Sequence, residues 1–455
     1  MLPFRHAPRT AARAVACALV FAPAGAWLMA TPALAFQTAP DAIATAETGL
    51  QAFRRLRAEG IAAAGSGDLD LAAARLAEAD MRLANHPGLI QLRARIAAAR
   101  GQADEALALV RRYAATGLAF NLDRDRALSA LAGAPGHAEA AAALAANLAP
   151  VGEGRLSSMA RLEGAVIAET LVRDAARGRW LVSLVRGRAI VALADDGAVA
   201  PLLSGDASVG GVIGLALDPG TDTLWATTAP LVPAVHGLPE GAARPEPALL
   251  QIDAATGAVR ARFGAPAGVT AFDPGDLLRA PDGTLYVADS TGGAIYRLSP
   301  GGGALEVWLP AGQLGSPQGM VTTPDGAALV VADYSSGLWR IDRRSGDATQ
   351  LPAPADASLI GLDGLIADGP VLYAIQNGVT PQRVLRLTLA PDAAHVATVE
   401  VLAANLPQLD APTTGLVHDG ELVFVARSQW SDFAADGAQA TPDPAPAILA
   451  RLALH

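Results

Sequence analysis

The residues able to do chemistry in this chain lie mostly in its C-terminal two-thirds, and their phase in a repeat makes them a set. Two units fix that phase: Pro274-Gly275-Asp276 followed by PDGTLYVADSTGGAIYRLSP, and Pro317-Gln318-Gly319 followed by PDGAALVVADYSSGLWRID. Each reads as strand, Pro-Asp-Gly turn, strand, Asp-x-x-x-Gly turn, strand, Gly turn and a weaker strand. Weaker copies begin at Glu163-Gly164, near Gly214, at Asp363-Gly364 and at Thr414-Gly415. Aligned on this phase, Glu163, Asp276, Gln318, Asp363 and Thr414 form one ring of side chains. Ser183, Thr227, Asp289, Asp333, Asn377 and Ser428, at the ends of the second strands, form another. The first ring holds three carboxylates and an amide. Two carboxylates about 4 Å apart repel by roughly 4 kcal/mol at an effective dielectric near 20, so such a cluster calls for protonation, water or a cation. Hard oxygen donors suit Ca2+, Mg2+ or Mn2+. The bland alternative is that the acids bond backbone amides. That alternative is the better reading for Asp289 and Asp333, and the metal reading is the better one for Glu163 and Asp363.

Six copies at intervals of about 45 to 60 residues are the signature of propeller blades. A lone four-stranded sheet leaves both faces wet, whereas blades stacked around an axis bury each face on a neighbour. The expected fold is therefore mainly β, a six-bladed β-propeller over 151–455. Its last blade would be closed by the C-terminal ILARLAL and by the stretch Arg155 to Ala160. Before it, over 36–150, apolar residues recur at helical spacing, as in Leu89, Leu92, Ile96 and Ala99, with Gly65, Gly67, Gly101 and Gly117 as stops. The segment LIQLRARIAAARG-QADEALALVRRYAATGL resembles a tetratricopeptide-type helix pair, which would either bind a protein partner or cap one side of the propeller.

Residues 1–35 read as a signal peptide. Arg5, Arg9 and Arg13 precede an apolar stretch, and Ala33-Leu34-Ala35 offers a cut after Ala35. The expected location is the periplasm or the medium, with no membrane span after cleavage. The full chain carries 34 basic and 44 acidic residues, net −10. Loss of three arginines would leave 31 against 44, net −13, which argues against nucleic acid as a partner. The sole cysteine, Cys17, lies in the leader, so thiolate chemistry is excluded from the mature protein.

From about Leu162 to Leu454 the chain resembles the gluconolactonase/regucalcin family, with strictosidine-synthase-like and NHL-type relatives. The stretches that carry the likeness are Glu163-Gly164, Pro317-Gln318-Gly319, Gly361-Leu362-Asp363-Gly364-Leu365 and Ile375-Gln376-Asn377-Gly378. The resemblance implies a divalent cation, Ca2+ ahead of Mg2+, Mn2+ or Zn2+, held by Glu163, Gln318 and Asp363. Gln318 stands where the family has Asn. It also implies Asp276 as a substrate contact and Asp363 or Glu163 as the proton acceptor in lactone hydrolysis. Two insertions, 229–247 with His236 and 428–446 with Trp430, should overhang the same ring. Together with Asn377 they complete the candidate substrate-binding set. Two functions from different classes follow: an exported metal-dependent lactonase or esterase acting on a small molecule, and a non-catalytic propeller scaffold of the cell envelope.

Overall fold

The computed structural model describes residues 47–455 apart from 207, 240, 435 and 442; the leader and its cut after Ala35 lie outside them. Twenty-three of the β-strands form five four-stranded blades in chain order and three-quarters of a sixth, and the remaining strand completes the ring. The innermost strands are Ala168–Asp174, Gly211–Asp218, Pro274–Arg279, Pro317–Thr322, Leu362–Asp368 and Gly415–His418. Each lies against the innermost strand of the next blade, and the sixth returns to the first. The six-bladed propeller is thus present as expected.

Closure also follows the sequence. The outermost strand of the sixth blade is Leu156–Leu162, antiparallel to the C-terminal Ala447–Ala453, with Leu156 opposite Leu452 and Leu162 opposite Ala447. What the sequence misplaces is the start of the first blade. Its inner strand begins at Ala168, and Glu163-Gly164 belongs to the connection that leads out of the closing strand.

Second strands such as Ala328–Asp333 are buried along their whole length because a neighbouring blade covers each face. Outer strands such as Val259–Phe263 are wet along most of their length. Five inner strands carry a bulge near their start, at 169–170, 213–214, 275–276, 318–319 and 363–364. A bulge leaves ladder groups unpaired and re-aims side chains. Here hydroxyls from the second ring take up the slack. Ser183 Oγ accepts from Thr170 N (2.9 Å) and donates to Ile213 O of the next blade (2.7 Å). Thr227 Oγ1 likewise accepts from Gly214 N (2.8 Å) and donates to Gly275 O.

Helices α1 (Gly49–Gly65), α2 (Leu69–Asp80), α3 (Pro87–Ala99), α4 (Ala103–Ala115) and α5 (His137–Ala146) precede the propeller, each packed on the next. Thr48 and Gln51 form a reciprocal cap on α1, and Pro87 opens α3. These helices sit on the end of the propeller where the inner strands begin. Arg54 Nη2 donates to Leu314 O (3.2 Å), Asn85 Nδ2 to Ala357 O (3.0 Å) and Asn405 Nδ2 to Asn147 O (3.0 Å). Phe53, Leu56 and Leu76 share one continuous apolar cluster with Tyr286, Met320 and Trp339 of the third and fourth blades. Arg383, 3% exposed, joins the parts by donating to Gly117 O (3.1 Å) and to Gln376 Oε1 (2.6 Å).

Candidate functional site

Three of the five bulges carry an acid: Glu169 in the first blade and Asp363 in the fifth at the first bulge position, and Asp276 in the third at the second. All three are half-buried, and their charges act on one another. Burial, then the charges of Asp363 and Asp276, push the Glu169 carboxyl well above the usual range, against the bond from Trp430. Burial followed by the Asp363 charge lifts Asp276 to about 8. Burial raises Asp363 to about 6, opposed by a hydrogen bond from Asn377. All three carboxyls are thus pushed towards the protonated form, the kind of perturbed acid cluster that acid–base chemistry uses.

Among the described residues the side-chain donors to these acids are two. Trp430 Nε1 donates to Glu169 Oε2, and Asn377 Nδ2 to Asp363 Oδ2. Trp430 is held in place from its own insertion: Arg427 pairs with Asp410 and with Asp432 (2.7 Å), and buried Gln429 donates to Gly164 O (2.8 Å) and Ala445 O (2.9 Å). The two insertions touch. A β-carbon on Gly437 would fall 2.6 Å from Val235 N, and Val235 and Phe433 share a small apolar cluster with Ile167 and Val185. Arg186 lies over the Phe433 ring at 5.1 Å and donates to Ala234 O (2.6 Å).

Against the expected set, Asp276, Asp363, Asn377 and Trp430 are brought together. Glu163 is not. It is exposed in the connection ahead of the first blade, and Glu169 occupies the place assigned to it. The register would have revealed this: Asp276 precedes Asp289 by thirteen residues and Asp363 precedes Asn377 by fourteen, whereas Glu163 precedes Ser183 by twenty. Gln318 stands on the fourth-blade bulge, but its Nε2 donates to Ser316 Oγ (3.2 Å) and not to the acids. His236 is neither solvated nor at the acids. It is 1% exposed, its Nε2 accepts from Gly211 N (3.2 Å), and burial with the Arg188 charge lowers its pKa to about 4. Asp289 and Asp333 serve turns of their own blades, bonding Gly292 N (2.6 Å) and Ser316 N (2.8 Å) respectively. Thr414 lies on the sixth inner segment, and it is the neighbouring Thr413 Oγ1 that donates to Glu169 O (2.5 Å) and ties the last blade to the first.

Hard oxygens dominate the site, and among the described residues Asn377 Oδ1 is buried without a donor. Both features fit a cation of the Mg2+ or Ca2+ type. Among the described residues no three acidic, histidine or cysteine side chains form a ready-made ligand group, so any cation here would draw on neutral oxygens and water as well.

No protein-family model matches the sequence, and no curated protein matches it. Solved structures resemble it over the propeller. A gluconolactonase of Xanthomonas campestris is 19% identical over 68% of this chain and 93% of its own, with a TM-score of 0.47. Regucalcin of Agrobacterium tumefaciens, described as a calcium-binding protein, is 14% identical over 65% and 93%, TM-score 0.44. A catalytically inactive virginiamycin B lyase of Staphylococcus aureus, solved with quinupristin, is 15% identical over 63% and 80%, TM-score 0.43.

Proposed function

We propose that this chain is an exported hydrolase of the lactonase or esterase type, acting on a small molecule at the inner ring of the propeller. The observation that carries the reading is that Glu169, Asp276 and Asp363, from three different blades, share one electrostatic environment in which burial raises all three above the ordinary carboxylate range. Asp363 is the group that takes a proton from the attacking water, and Asn377 orients it through the bond to Oδ2. Asp276, whose raised proton affinity favours the acid form, donates to the oxygen that gains charge as the tetrahedral centre forms. Trp430 fixes the rotamer of Glu169. A divalent cation held by oxygens of Glu169 and Asp363 would add Lewis-acid polarisation of the carbonyl.

Hydrolysis of a panel of sugar and aliphatic lactones and aryl esters, with Ca2+, Mg2+ or Mn2+ and with chelator, tests the proposal. Turnover should fall by about 10²–10⁴-fold in Asp363→Asn and strongly in Glu169→Gln, with Glu163→Gln close to wild type. No turnover across the panel, or full activity in Asp363→Asn, overturns it.

A further inference from the structure

Asn377 stands at the start of the turn between the second and third strands of blade five, Val371–Gln376 and Arg383–Leu389, and that turn is gripped by two parts of the molecule. The helical segment supplies one grip. Ala119 N donates to Thr380 O (2.7 Å), Arg383 Nη1 donates to Thr116 O (3.3 Å) and Gly117 O (3.1 Å), and Val379 packs on the apolar cluster of Leu107, Val110 and Leu118. The propeller supplies the other. Arg383 Nε (2.9 Å) and Nη2 (2.6 Å) both donate to Gln376 Oε1, and Gln376 Nε2 donates to Ser358 O (2.9 Å) and Ile360 O (2.7 Å). Gln376 and Arg383 are buried, and among the described residues no acid pairs with Arg383. A buried guanidinium whose acceptors are all neutral is costly to keep, but its planar fork holds two partners in one fixed geometry. The residue after Gln376 is Asn377, whose Nδ2 donates to Asp363 Oδ2 and to Pro412 O (2.9 Å).

We infer that the helical segment is a working part of the hydrolytic site: Arg383, anchored on Thr116 and Gly117, fixes Gln376 and with it the Asn377 amide that orients Asp363. Arg383 is a positioning residue, acting through Asn377 and not on the reacting atoms. The inference rests on the proposed function and deepens it. Among the described residues Asn377 is the one side-chain donor to Asp363, so a shift of the turn passes directly to the carboxylate. A misplacement of about 1 Å at a reacting group costs on the order of 10²-fold in rate, while substrate binding draws on other contacts. Of the two roles open to the helix pair this is the capping one, with a consequence for catalysis.

Steady-state kinetics of the full chain on the lactone or aryl ester that the wild type turns over fastest, with melting temperatures in parallel, tests the inference. Arg383→Met should lower kcat by about 10–100-fold and leave KM within about threefold. A double-mutant cycle separates positioning from general loosening. If Arg383 acts through Asn377, then Arg383→Met combined with Asn377→Ala loses no more kcat than Asn377→Ala alone. Asn405→Ala cuts the bonds to Asn147 O (3.0 Å) and Ala149 O (3.0 Å) at another point of the same seam. It should lower the melting temperature yet keep kcat within about twofold of wild type. Gln376→Met removes the link from the propeller side, should reproduce the kcat loss, and carries the test if Arg383→Met does not fold. Wild-type kcat in Arg383→Met, or losses that add in the double variant, overturn the inference and leave the hydrolase standing. No turnover by the wild type overturns both.

Discussion

Replacing Asp276 by Asn tests whether burial and the neighbouring Asp363 hold its proton as tightly as their placement implies. Asp276 titrates near 8 in the folded protein against an ordinary 3.8, because it is buried, has Asp363 as its charged neighbour and accepts no hydrogen bond among the described residues. A carboxyl whose pKa is raised by folding contributes its full stability below about pH 4 and loses it as pH climbs towards 8. Each pH unit in that window is worth about 1.4 kcal/mol, so between pH 5 and 8 the wild type loses up to about 4 kcal/mol that Asp276→Asn, an isostere of the protonated form, does not lose. Water reaching a half-buried group screens part of this, leaving about 2 kcal/mol, or about 2–6 °C in melting temperature. The assay is thermal unfolding of both proteins in chelator at pH 5, 6.5 and 8. The gap between variant and wild type should widen with each step upwards. A gap that is the same at all three pH values refutes the raised proton affinity of Asp276, and with it its role as the proton donor.

The seam between helices and propeller should be sensitive at Gly117, which has φ +74° and lies where a β-carbon would come within 2.6 Å of Arg383 Nη1; Gly117→Ala should cost about 1–3 kcal/mol and lower the melting temperature by several degrees. His236 is held neutral by burial, with a pKa near 4, so the wild type should lose about 1–2 kcal/mol as pH falls from 6.5 to 4, a loss absent in His236→Gln when their urea midpoints are compared.

The parts of the fold set by repetition were readable from the chain. Blades three and four carry complete motifs, and their Pro-Asp-Gly turns and buried second strands stand where the pattern puts them. The closing strand was readable too, because a sixth blade needs a fourth strand and only the segment ahead of the first blade was left. The first blade was misread by one short element. Glu163-Gly164 imitates a motif locally, and only its distance from Ser183 betrays it. Asp276, Asp363, Asn377 and Trp430 lie near one another in the structure, where phase and insertion length had placed them. Gln318 and His236 have settings that phase cannot report, since a side chain's partner depends on packing: Ser316 for one, the buried Gly211 backbone for the other. The role of Arg383 had no signal at all, for its partners at Gly117 and Thr116 lie some 266 residues earlier in the chain.

The strand that closes the ring sets a timetable for making the protein. Leu156–Leu162 leaves the ribosome about 285 residues before Ala447–Ala453, the strand it must pair with. At about 5–20 residues per second that is a wait of roughly 15–60 s. During translation the segment is an open edge, and Ser157, Ser158 and Arg161 keep its outward side hydrophilic. The last few residues made are therefore the ones that turn an arc into a circle, and the acids of the first and fifth blades can take their final positions only after translation ends.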